Sequence, residues 1–96
     1  MLLGNANAAP SDNLALGSLR SGQRSLAKAD YAATLAICKT GLAQLGDSYY
    51  DPKVVDDSGQ KLVLAQIYER DGALKTAATI YCNVLSGRIQ IMGGAE

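Results

Sequence analysis

The sequence predicts an all-α fold, on three observations. Apolar residues recur at steps of three and four through four separate stretches. The apolar mass is Ala, Leu, Ile and Val, with five Tyr and neither Phe nor Trp, a mixture suited to closely packed helices. The breaks between stretches carry Asp, Gly and Pro, which cap, turn and stop helices. Of the 96 residues, 48% are hydrophobic, too many for a disordered chain. This length makes one domain with a modest core.

The elements follow in order. Pro10-Ser11-Asp12 is a start signal, with Ser11 or Asp12 as cap, and the spacing predicts a first helix over about 13–28. Leu16, Leu19, Gln23 and Leu26 share one side of it. Arg20, Arg24 and Lys28 form a basic stripe, and Ser18, Ser21, Gly22 and Ser25 a small-residue side that admits a close neighbour. Asp30 caps a second helix over 31–45, with Gly46 as its stop. The stretch 46–59 reads as an acidic linker broken by Pro52, with Asp56, Asp57 or Ser58 capping a third helix over 58–70. Its apolar positions are Leu62, Leu64, Ala65, Ile67 and Tyr68. Asp71-Gly72 turns the chain into a fourth helix over 73–86, and Gly87 is its expected stop. Ile89, Ile91 and Met92 then form a short apolar tail. The domain organisation is a flexible arm or signal remnant at 1–10, a helical domain at 11–92 and a flexible end at 93–96.

Composition excludes several chemistries. Nine basic and nine acidic residues balance, so no field of one sign draws nucleic acid. No apolar run is long enough to span a bilayer. There is no His, which removes the commonest general base and a frequent metal ligand. No phosphate loop or G-x-S-x-G is present, and adjacent Asp56 and Asp57 cannot flank a substrate as a hydrolytic pair does. The acidic linker lacks the EF-hand spacing. The sequence therefore predicts no enzyme, no metal and no cofactor. Ala6-Asn7-Ala8 matches the small-residue pattern of a signal cleavage site, so the chain reads as periplasmic or secreted, with a cytoplasmic location the alternative. Cys38 and Cys82 form no C-x-x-C and read as buried small apolar side chains, with a disulfide or a reactive thiol as alternatives.

The second half reads Leu64-Ala65-x-x-Tyr68, then Gly72-x-Leu74-x-x-Ala77-x-x-x-Tyr81-x-x-Val84-Leu85. This run of about 25 residues resembles the tetratricopeptide repeat. Ala65 and Ala77 are small where two helices cross, Tyr68 and Tyr81 fill the space around that crossing, and Gly72 turns the chain. Lys61 stands where the family usually has Trp, and Ile89 where it has Pro. Shifting back by 43 residues sets Gly22 on Ala65, Ala29 on Gly72, Tyr31 on Leu74, Cys38 on Tyr81 and Leu42 on Leu85, a degenerate first copy. The resemblance implies two antiparallel hairpins in a right-handed stack, acting as a scaffold for a protein or peptide. The implied concave face presents Leu16, Leu19, Arg20, Gln23 and Leu26 from the first unit and Leu62, Val63, Gln66, Glu69 and Arg70 from the second. Equivalent places in successive repeats stand about 10 Å apart, beyond the roughly 7 Å between alpha carbons that a disulfide spans. No bond between Cys38 and Cys82 is therefore expected. Two repeats leave their flanks open, so a homodimer or a self-associating structural bundle is the alternative to a scaffold.

Overall fold

The structure, a computed structural model, describes residues 10–46 and 52–94. They form α1 (Pro10–Ala27), α2 (Tyr31–Leu45), α3 (Pro52–Arg70) and α4 (Leu74–Gly94), with no strand among them. The fold is all-α, two antiparallel helical hairpins. No helix among the described residues is long and apolar enough to cross a membrane. Ala6-Asn7-Ala8 and the linker residues 47–51 lie outside the described residues.

Three boundaries differ from the sequence reading. α1 begins at Pro10, so Ser11 and Asp12 stand in its first turn. α3 begins at Pro52, six residues early. Proline is tolerated in a first turn, because its missing N–H would have had no intrahelical acceptor there. Asp56, Asp57 and Ser58 thus lie inside the helix rather than at its start. α4 runs through Gly87 and takes in both the apolar tail and Gly93-Gly94. An interior glycine costs a helix about 1 kcal/mol, and packing beyond it offsets that. Arg88 is buried and donates from Nε (3.2 Å) and Nη2 (2.8 Å) to the buried Ser58 Oγ of α3, and Ile89 packs on the core.

The two hairpin turns share one geometry. Asp30 N–H donates to Ser25 O at 3.0 Å and Ala29 N–H to Leu26 O at 2.9 Å. Forty-three residues on, Ala73 N–H donates to Tyr68 O at 2.9 Å and Gly72 N–H to Glu69 O at 3.1 Å. Each pair satisfies carbonyls that the ending helix leaves bare, and it requires a left-handed residue just past the end. Gly72 supplies it at φ 82° and Ala29 at φ 61°. Alanine there bears a steric penalty that glycine escapes. Ala29→Gly is expected to raise stability by roughly 0.5–1 kcal/mol and Gly72→Ala to lower it by roughly 1 kcal/mol. Urea midpoints check both. Asp30 then caps α2, its carboxylate accepting from Ala33 N–H at 3.3 Å, and Gly46 ends that helix at φ 58°.

The core lies where α1, α2 and α4 meet. Four contacts join α2 to α4: Tyr31 with Lys75, Cys38 with Cys82, Lys39 with Tyr81, and Gly41 with Leu85. Their near-constant sequence offset means the two helices run in the same direction. Small side chains bring them together. A Cβ on Gly41 would lie 2.5 Å from Leu85 Cδ2. A Cβ on Gly22 of α1 would lie 2.6 Å from Cys38 Sγ and 3.4 Å from Cys82 Sγ. The expectation about the cysteines is therefore overturned. Cys38 and Cys82 are disulfide-bonded, with alpha carbons 5.1 Å apart. The 10 Å estimate assumed ordinary side chains between the helices, whereas Gly41 admits Leu85 close to α2 and Gly22 leaves room for the cystine.

Candidate functional site

The helix arrangement decides which side chains share a surface. α4 packs against α1, α2 and α3, while α3 packs substantially on α4 alone. α1 and α3 do not form one continuous wall, and the two halves of the expected face stand apart. Leu19 is buried in the core, with Leu16 and Leu62 partly buried against it. These three serve packing. Arg20, Gln23, Val63, Gln66 and Arg70 are exposed. Arg70 Nε approaches Asp71 Oδ1 at 4.0 Å, both well exposed.

Glu69 is turned inward to a polar junction of three helices. Lys39 Nζ donates to its two carboxylate oxygens at 3.3 and 3.1 Å, and Tyr81 OH donates to Oε1 at 2.9 Å. The ammonium also stands 5.6 Å from the centroid of the Tyr81 ring. The Lys39 hydrogen bond first, and that of Tyr81 second, hold the Glu69 carboxyl below its ordinary 4.5. Burial, and then the bond to Glu69, push the Tyr81 phenol up to about 12. The ionised carboxylate and the protonated phenol are thus the forms that support the fold. The Glu69 contribution is present above pH 4.5 and is lost as pH falls through its lowered folded value. The Tyr81 contribution is present below the ordinary 10.0 and is lost as pH rises towards about 12. Glu69→Gln should flatten the acid limb of a melting-temperature profile. An unchanged limb would show that other carboxylates set it.

A concave groove of about 500 Å³ lies on the outer side of the first hairpin. Leu14, Gly17, Ser18 and Ser21 of α1 form one wall, and Ala36, Ile37, Thr40 and Gln44 of α2 the other. All eight are uncharged. Ser18 Oγ bonds Gln44 Oε1 at 2.6 Å across the floor, which fixes the spacing of the helices. The α1 wall continues at helical steps of three and four into Arg24 and, in the turn just past the helix, Lys28, both exposed. The small side of α1 was legible in the sequence; that Ser18 and Ser21 face outward while Gly22 faces the cystine was not.

At the corresponding place the second hairpin has two smaller hollows, one of about 190 Å³ lined by Asp57, Ser58, Lys61, Asn83, Val84, Gly87 and Arg88 and one of about 290 Å³ lined by Asp57, Gln60, Lys61 and Leu64. Both carry charge at Asp57 and Lys61, and the first also at Arg88. Beside them α3 exposes apolar bulk. Val63 is 57% exposed, Leu64 45% and Ile67 39%. Leu64 and Ile67, apolar positions of the third helix, lie outside because α4, rather than α3, packs against the first hairpin on the side away from its open groove. No group of His, Cys, Asp or Glu among the described residues could hold a metal ion. No protein-family model, curated protein or solved structure matches the chain.

Proposed function

We propose that the chain is a non-enzymatic interaction module that holds a helix of a protein partner in the groove between α1 and α2. The observation that carries this reading is the groove itself. It is open, uncharged over its lining, walled by Leu14, Ala36 and Ile37, and shallow at Gly17, Ser18 and Ser21. Small residues let a docked helix bring its backbone close, and apolar walls take its apolar face. The resemblance of the second hairpin to tetratricopeptide scaffolds supports the same class of function. It is the groove, rather than the concave face that resemblance implies, that offers a continuous surface. The Ala6-Asn7-Ala8 pattern supports an exported protein, periplasmic or secreted, which fractionation of tagged cells tests.

The groove is tested with a photoreactive residue at Thr40, inside it, and another at exposed Thr76 as control. The expected result is a discrete protein adduct from Thr40 alone, lost when Ala36→Glu sets a charge in the wall. Equal labelling at both positions, or labelling indifferent to the Ala36 change, overturns the reading.

A further inference from the structure

We propose that the helix held in this groove is α3 of a second copy, so that chains join head to tail. The inference rests on the groove reading and names its occupant.

The two ends of the molecule are unlike in a complementary way. The first hairpin ends in a hollow with no charge on its lining. The second carries a ridge of exposed apolar side chains, Val63, Leu64 and Ile67, beside its smaller hollows. Ser58 and Ala65 face inward, and Gln60, Val63, Leu64 and Ile67 face out. A ridge of large side chains fills a hollow of small ones, whereas two ridges or two hollows do not fit each other. The pairing is therefore between different surfaces of two copies, which leaves a free hollow and a free ridge at the ends.

Length and charge agree. The α1 wall runs Leu14, Gly17, Ser21, Arg24 and reaches Lys28 in the turn that follows, apolar and small at one end and basic at the other. The α3 stripe runs Asp57, Gln60, Leu64, Ile67 and reaches Asp71 in the next turn, with an exposed carboxylate at each end. Both follow the same steps of three and four over the same span, roughly 20 Å. Whichever way α3 lies in the groove, an aspartate reaches the basic end. Arg70, 4.0 Å from Asp71, and Lys61 stand on the flanks of the stripe.

Sedimentation velocity on the intact oxidised chain tests this over a concentration series. The expected result is an average mass that climbs with concentration beyond a dimer. Ile67→Glu on the ridge and Ala36→Glu in the hollow each stop that growth. Each blocked chain keeps one good surface, so an equal mixture of the two forms a dimer and nothing larger. Both positions are exposed, and circular dichroism confirms that the variants fold. Arg24→Glu supplies a second readout, weakening association several-fold at low salt. A wild-type chain that stays monomeric at every concentration overturns the proposal. So does growth that survives either variant, or a mixture that fails to pair. The groove reading then stands or falls separately, on whether the Thr40 adduct contains a different protein.

Discussion

Reducing the Cys38–Cys82 bond is expected to remove about 4 kcal/mol of stability, the largest single effect open to a simple reagent, by the loop-entropy relation for a cross-link of this span. The bond closes 44 residues of sequence separation and ties α2 to α4, and so the first hairpin to the second. The open chain regains the freedom of that loop when it unfolds, and the native state gains nothing in return. A domain of this size has a total stability of about 5–10 kcal/mol, so the reduced chain should be partly unfolded under conditions where the oxidised chain is not. Urea titrations of the two forms measure the difference, and a Cys38→Ala, Cys82→Ala double variant should behave as the reduced form. Peptide mapping should show the native chain lighter by the mass of two hydrogens, with the loss assigned to these residues. If both forms share one midpoint, the hairpins are held together by packing alone.

Gly22→Ala is the second large effect, and its sign is the informative part. Alanine favours a helix over glycine by about 1 kcal/mol. At Gly22 that gain is overwhelmed, because the new methyl would stand 2.6 Å from Cys38 Sγ and 3.4 Å from Cys82 Sγ. A sulfur in a buried disulfide is fixed from both sides and cannot swing away, so α1 must lift from the joint. Overpacking of this kind costs roughly 1–3 kcal/mol, for a net loss of up to about 2 kcal/mol after the helix gain. Gly41→Ala is the control. Its nearest obstacles are Leu85 Cδ2 at 2.5 Å and Ser18 Cβ at 3.1 Å, neither of them part of the cystine. The two changes separate after reduction. A free Cys38 thiol can rotate, so the Gly22→Ala penalty should shrink, whereas that at Gly41 should not. A double-mutant cycle of Gly22→Ala against the cysteine-free chain measures that coupling. No coupling would mean that the glycine serves α1 itself rather than the cystine.

Local patterns along the chain determined the helices. Asp30, Gly46 and Gly72 are punctuation whose effect is confined to a turn, so they could be read without knowing what packs where. The 43-residue correspondence between Ala29 and Gly72 was legible for the same reason, since it reflects one turn geometry used twice. Where the sequence reading cut the helices short, starting α3 at Ser58 and ending α4 at Ser86, the signals were Pro52 and Gly87. Both are breakers of modest strength, and neighbours such as Arg88 on Ser58 outweigh the second.

Faces were not legible in this way. An apolar stripe states that a helix has a neighbour but not which one. Tertiary structure alone decided that α4, rather than α3, packs against the first hairpin, and much follows from that choice. Leu19 goes inward, while Leu64 and Ile67 stay out. Glu69 meets Lys39 and Tyr81 rather than a partner. The disulfide belongs with these outcomes. Its cysteines stand 44 residues apart in sequence and 5.1 Å apart between alpha carbons. That approach is set by two glycines on two different helices, a coincidence in space that a one-dimensional pattern does not contain.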